Sequence, residues 1–164
     1  MTIRETTDIT GFHAHVYFDE ATRGAAERLR EELTPRFAVE LGRWHVQPVG
    51  PHTRPMYQLA FAGDQFAAVV PWLMLNRGGL TILVHPNTDD PVADHEVSPL
   101  WLGEPVAIDV GFIRGVLKKR TASVAGGRSS ADRQLPDEGL PGGEQRGMKA
   151  VAERLRERPP GFEI

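Results

Sequence analysis

Apolar and polar residues alternate in short segments along the first two thirds of the chain, which is the pattern of strands that bury one face. In the first of these segments His13, His15 and Tyr17 share one face, and the apolar side chains between them share the other. The last segment is rich in β-branched and aliphatic residues, which favour strands. The pattern predicts four strands, over residues 12–18, 43–49, 56–61 and 80–85.

Two stretches between these strands have the spacing of amphipathic helices. The first follows Asp19, a residue able to cap it, and covers residues 20–33. The second follows Asp64, and Gly78-Gly79 ends it. Pro71 is expected to kink the second helix. Its apolar residues follow the i, i+3, i+4, i+7, i+8 spacing without a gap: Phe66, Val69, Val70, Leu73 and Met74.

The element order βαββαβ predicts an α+β domain with the ferredoxin-like fold, in which two helices cover one face of an antiparallel sheet. The strands would lie in the order 4-1-3-2, with the second strand at an edge, where Pro48 is tolerated. The first and fourth strands would be antiparallel neighbours, so His13 and His15 would lie near His85. The helix-free face would need a cover, and we expect a homodimer formed across it.

Charge and composition divide the chain in two. Residues 1–111 carry 8 Lys/Arg and 15 Asp/Glu, whereas residues 112–164 carry 11 Lys/Arg and 7 Asp/Glu. Residues 126–147 are rich in Gly, Ser, Pro and charged side chains, which predicts a flexible linker before a short amphipathic helix over residues 148–158. We therefore predict a folded domain over residues 1–111 and a basic, Gly/Pro-rich flexible extension over residues 112–164.

The composition also excludes several classes of site and partner. The chain has no cysteine, so disulfides and thiolate metal sites are excluded, and a metal would need His, Asp or Glu ligands. No apolar run approaches the ~20 residues of a membrane span, and the first residues do not resemble a secretion signal, so we expect a cytoplasmic protein without a membrane partner. The positive charge of the extension is diffuse and lacks interleaved aromatic residues, so no nucleic-acid partner is expected.

The histidines are the candidate functional residues. His13 and His15 would stand ~6–7 Å apart at the backbone, and from there both imidazoles can reach one ion at ~2.1 Å. Two histidines on one strand are also commonly solvated or bonded to their neighbours. His85 on the adjacent strand and His52 in a Pro-rich loop add two imidazoles to this pair, which favours a metal site over ordinary solvated histidines. These four histidines are therefore predicted to bind a metal ion.

Two further histidines are expected outside this ligand set. His45 would be separated from the first strand by the third strand, which adds ~10 Å, so we expect it to contact substrate instead of metal. His95 lies in an acidic segment, residues 87–96, and is expected to be an ordinary surface histidine.

Several longer segments agree with a known family in order and spacing. They are FHAHVYF at residues 12–18, GPH at 50–52 followed by MYQ at 56–58, VPWLMLNR at 70–77 running on to VHP at 84–86, DH at 94–95 and PLWLG at 99–103. Over about residues 9–111 the chain thus resembles the DOPA 4,5-dioxygenase family of aromatic-ring-cleaving enzymes. This resemblance implies a ferredoxin-like α+β domain, commonly dimeric.

The resemblance also implies a reaction. A non-haem metal, expected to be Fe(II), and O₂ as co-substrate would open the ring of a small catechol, such as 3,4-dihydroxyphenylalanine or a relative, next to its hydroxyls. The common iron site has two histidines and one carboxylate, yet no Asp or Glu is plainly placed beside the predicted ligands, and an all-histidine site would also suit Zn. The alternative is therefore a non-enzymatic, dimeric module that binds a metal or a small ligand.

Four further residues are assigned roles within that chemistry. We expect His45 to act as a base that accepts a catechol proton, and Tyr17 to orient the substrate, which makes both catalytic residues. Arg77, with its planar fork of donors, and the adjacent Asn76 are expected to bind the substrate, Arg77 through a carboxylate.

Overall fold

A computed structural model describes residues 3–125 of the chain, with side chains through residue 121. It contains a five-stranded antiparallel sheet and four α-helices, which confirms the α+β class. The strands follow the order β2-β3-β1-β4-β5 across the sheet. In chain order the elements are β1 (Gly11–Tyr17), α1 (Arg23–Leu33), β2 (Val39–His45), β3 (Met56–Phe61), α2 (Phe66–Asn76), β4 (Thr81–Asn87), α3 (Pro91–Glu96), β5 (Leu100–Leu102) and α4 (Val110–Ala125).

The first four strands have the predicted spatial order, and β5 adds a fifth strand beside β4. Strand β3 has the predicted bounds, and β1 is displaced by one residue. Helix α1 begins three residues later than predicted because the Asp19 side chain accepts the Thr22 backbone N–H at 2.8 Å in a turn before the helix. The ferredoxin-like topology as a whole and the homodimer stay predictions.

Strand β2 was predicted too late in the sequence. It covers Val39–His45, and its pairing with β3 is irregular between Leu41 and Trp44. This β-bulge breaks the alternation, so only the second half of the strand was visible as a pattern of period two. Pro48 lies beyond the strand, and the edge position of β2 follows from the strand order alone.

Both long helices of the first region pack on the same face of the sheet. Leu29 and Leu33 of α1 and Val69 and Leu73 of α2 are at most 4% exposed and belong to one apolar cluster with the inward residues of the strands. Burial of one such side chain contributes roughly 1.5–3 kcal/mol. The histidine-bearing face of β1 is therefore directed away from the two helices.

That second face is covered by the chain itself. Tyr17, Met56 and Leu83 form a smaller apolar cluster there, and the loop around His52 and the short helix α3 lie over the histidines. The cover that was expected from a second copy is thus provided at least in part by residues 46–55 and by the segments that follow β4.

Helix α4 crosses the boundary that was predicted after residue 111. Its Ile113 is 2% exposed, and Arg114 Nη2 donates to Glu96 Oε2 of α3 at 2.8 Å, so the start of the predicted extension is packed structure. The predicted linker over residues 126–147 and the predicted helix over 148–158 lie outside the described residues. None of the helices within residues 3–125 is both long and apolar enough to cross a membrane.

Candidate metal centre

Strand register brings three histidines together, as predicted. His13 on β1 lies directly opposite His85 on β4. His15 projects from the same face of β1, and its Nε2 lies 3.1 Å from Nε2 of His85. One ring nitrogen from each of the three histidines lies within 4.8 Å of the others.

The cover of this face contributes two more histidines. His52 is held in place by backbone bridges to Val49 and Ile108, and its ring centroid lies 4.0 Å from that of His15. His95, on α3, has its ring centroid 4.0 Å from that of His85. Nitrogens of His15, His52 and His95 form a second group within 4.8 Å. Five histidines thus form one cluster, and His15 belongs to both groups.

The prediction that His95 is a surface histidine is wrong, because it is 6% exposed and faces the other imidazoles. The acidic segment that carries it is not a loop. Asp90 caps α3 by accepting the Ala93 N–H, and Pro91 occupies the first turn. Asp followed by Pro is a common helix start, and this signal in the sequence would have revealed the helix.

Backbone carbonyls fix the tautomers of two imidazoles. His85 Nδ1 donates to the Pro86 carbonyl at 2.8 Å, and His95 Nδ1 donates to the Pro91 carbonyl at 2.9 Å. A carbonyl oxygen only accepts, so in each neutral ring the proton is on Nδ1 and the lone pair is on Nε2. Metal-ligating histidines are usually oriented by such a bond from the other ring nitrogen.

His15 and His85 are neutral at neutral pH. Burial holds the pKa of both imidazoles well below the ordinary value, and the neighbouring histidines lower it further. With His85 Nε2 as acceptor, His15 Nε2 donates to it, and His15 Nδ1 is buried without a hydrogen-bond partner among residues 3–121. Two nitrogens 3.1 Å apart also match two ligands at ~2.1 Å from one ion with an angle of about 95°. The residues present therefore fit a metal ion.

The histidine groups include no carboxylate among the described residues. Asp94 is buried and precedes His95 in the sequence. Its two carboxylate oxygens, however, accept the Thr88 N–H at 2.8 Å and the Thr88 hydroxyl at 2.6 Å. Burial raises the pKa of this carboxyl. Asp94 thus anchors α3 to the end of β4, and the donor set offered to a metal is imidazole.

Tyr17 lies at the edge of the cluster. Its hydroxyl is 2.6 Å from Nδ1 of His52, and its ring stacks on Trp101 with centroids 6.1 Å apart. The residue is 2% exposed. Tyr17 and Trp101 therefore form an aromatic wall next to the imidazoles.

The other predicted site residues lie farther away. His45, at the end of β2, pairs with Met56, which pairs with Tyr17, so its backbone is two strands, about 10 Å, from Tyr17. Asn76 Nδ2 donates to the Trp72 carbonyl, and Arg77 Nη1 donates to the Leu80 carbonyl, both at 2.8 Å at the end of α2. The structure does not bring these three residues into the histidine groups, and their roles stay predictions.

Comparison with known proteins gives relatives with similar sequence and fold. A Nostoc punctiforme protein with a solved crystal structure, proposed to be a dioxygenase, is 57% identical with a TM-score of 0.68, covering 69% of this chain and 98% of its own. An uncharacterized 21.2 kDa protein of Botryotinia fuckeliana is 31% identical over 68% of this chain and 67% of its own length. The DOPA 4,5-dioxygenase of Amanita muscaria is 36% identical over 59% of this chain, and the match spans 46% of the Amanita protein.

The histidine cluster lies within the part of the chain that a family model matches. The model is described as the Dopa 4,5-dioxygenase family and covers residues 12–112, which includes all five clustered histidines. Because this match extends over more than half of the 164 residues, the chain belongs to the Dopa 4,5-dioxygenase family.

Proposed function

We propose that the protein is a metal-dependent extradiol-type dioxygenase that uses O₂ to open the ring of a small catechol. The observation that carries the proposal is the buried histidine cluster, in which backbone carbonyls accept from Nδ1 of His85 and His95 and so leave Nε2 of each ring for a metal ion. Four of the five clustered histidines are at most 6% exposed. Buried, oriented and neutral imidazoles are what a metal ion needs from its ligands.

The metal is proposed to be Fe(II), held by three imidazoles that include His15 and His85. When bound, a non-haem ferrous ion supplies the redox chemistry that O₂ requires, with coordination positions left for two catechol oxygens. His13 is the least buried of its group, so the side of the centre next to His13 is the approach for substrate.

The aromatic wall supports a planar aromatic substrate. Tyr17 contacts His52 and Trp101 stacks on Tyr17, and aromatic side chains prefer offset-stacked or edge contacts with other rings. The name of the Amanita protein supports 3,4-dihydroxyphenylalanine or a relative as the catechol.

The test is reconstitution followed by turnover. Protein freed of metal is loaded anaerobically with Fe(II), mixed with 3,4-dihydroxyphenylalanine or catechol, and exposed to air. We expect oxygen uptake and a yellow ring-opened product in equal amounts, and neither in protein kept free of metal. Full iron occupancy without oxygen uptake across a panel of catechols would contradict the proposal.

One observation favours a second function. The groups hold only imidazoles, and an all-histidine set suits Zn²⁺ as well as Fe(II). A non-enzymatic module that binds a metal or a small ligand would retain stoichiometric Zn²⁺ or Fe(II) in the same experiment and consume no oxygen, so the two functions are distinguished by a single measurement.

A further inference from the structure

A second side of the histidine cluster, opposite β4, is formed by strand β3. Gln58 pairs directly with His15, and Ala60 pairs directly with His13. Residues opposite each other on neighbouring strands point to the same face, so both side chains stand next to the imidazoles. Gln58 belongs to the MYQ segment of the family resemblance, but the sequence assigned no role to it or to Ala60, because one glutamine in a strand carries no chemical signal of its own.

The Gln58 amide lies next to the cluster without a hydrogen-bond partner among the described residues. The residue is 8% exposed, and its amide makes no side-chain hydrogen bond within the described residues. An amide offers two donors and one acceptor, and buried polar groups normally have partners. Gln58 is therefore ready to bond a molecule that enters next to His15.

Two of the neighbours of Gln58 are small. On the β2 side it faces Gly42, where an added Cβ would lie 3.3 Å from the Cβ of Gln58. Gly42 lies within the β-bulge between Leu41 and Trp44, and the absence of a side chain there lets β2 approach Gln58 closely. Along β3 the next residue on the same face is Ala60. Ala60 is half-buried and pairs with His13, so the small side chain at this position lies between Gln58 and the outermost candidate ligand.

We propose that Gln58 binds the substrate directly and that the small side chain of Ala60 makes room for the ring substituent of a substituted catechol. The inference rests on the proposed function and adds a specificity-determining pocket to it. The Gln58 amide donates to a catechol oxygen and holds the ring next to His13 and His15. The small side chain at residue 60 thereby admits catechols that carry a ring substituent.

The experiment compares Gln58→Leu, a replacement of similar size without the amide, with the wild type and with Gln47→Leu, the same change at an exposed position. Each protein is loaded with Zn²⁺, which cannot start the oxidation, and titrated with 3,4-dihydroxyphenylalanine and with catechol. We expect Gln58→Leu to bind full metal but to bind both catechols at least tenfold more weakly, since one hydrogen bond of about 1.4 kcal/mol is a factor of ten in Kd. Gln47→Leu should match the wild type.

A second variant tests whether the small side chain of Ala60 makes room for the substituent of the catechol ring. Ala60→Val adds two methyl groups in a strand that tolerates β-branched residues, so the fold should be retained. We expect it to weaken 3,4-dihydroxyphenylalanine binding at least fivefold more than catechol binding. Wild-type affinities in Gln58→Leu, or equal effects of Ala60→Val on both ligands, would overturn the pocket while leaving the proposed function intact. A wild-type protein that binds metal but neither catechol would overturn both.

Discussion

His15→Gln is expected to lower the metal bound by the protein at least a hundredfold in affinity. His15 belongs to both histidine groups, and its Nε2 is 3.1 Å from Nε2 of His85, so every three-histidine site that the structure offers depends on it. Removing one of three ligands to a divalent ion leaves an incomplete coordination shell. The measurement is the Kd for Zn²⁺ by competition with a chelator. Glutamine retains most of the side-chain volume, so the fold should persist, and a thermal melt of the metal-free variant checks this.

Two single variants identify which of the two histidine groups holds the ion. If the ion lies in the first group, His13→Ala weakens binding strongly and His95→Ala weakly, and the second group predicts the reverse order. His45→Ala is the matched control because it removes an imidazole from the same sheet outside both groups, and its metal content should stay at the wild-type level. Unchanged affinity in His15→Gln, His13→Ala and His95→Ala together would exclude a histidine metal centre.

Metal-free protein is expected to lose stability steeply between pH 7 and pH 5. The pKa of His15 and of His85 is lowered in the folded state by burial, whereas in the unfolded chain it is about 6.5. Below pH 6.5 the unfolded state therefore binds protons that the folded state does not, and the free energy of unfolding falls as the pH falls. Two such groups together contribute up to about 3 kcal/mol per pH unit. Above about pH 7 both states are neutral at these positions, and this contribution is constant.

Urea denaturation at pH 7.5, 6.5 and 5.5 measures this effect. His85→Gln should reduce the slope below pH 6.5 by about half, because it leaves only one of the two imidazoles to be protonated on unfolding. Most carboxyl groups titrate below this range and contribute little to the slope. Stability that is flat from pH 7.5 to pH 5.5 in the metal-free wild type would show that the imidazoles are accessible to protons in the folded state.

The sheet and part of the centre could be predicted from the sequence because both depend on strand patterns. Alternation placed His13 and His15 on one face, and the strand order placed His85 beside them. The contribution of His95 could not be predicted from strands, since it depends on a helix of six residues whose start, Asp90-Pro91, was taken for a loop. The prediction of His52 as a ligand from its Pro-rich loop stays open, although its ring does lie against His15.

The bulge in β2 also interrupted the alternation of apolar and polar residues from which strands were predicted. An extra residue at Gly42–Arg43 reverses the alternation of inward and outward side chains. The period-two pattern in the sequence therefore begins only after the bulge, and the strand was predicted too late in the sequence. The pocket around Gln58 was missed for a related reason. Its small residues are recognisable only once the register between β2, β3 and β1 is known.

Helix α3 is too short to be stable alone, because isolated helices of fewer than about 12 residues are marginal in water. It is held in place by Asp94 at the end of β4 and by Arg114 of α4 on Glu96. The family match ends at residue 112, almost at the start of α4. A fragment trimmed to the family segment would therefore retain every clustered histidine in its sequence but lose the Arg114 contact that helps to hold the helix of His95. The contacts that position the histidine cluster thus extend past the family segment into the first turns of α4.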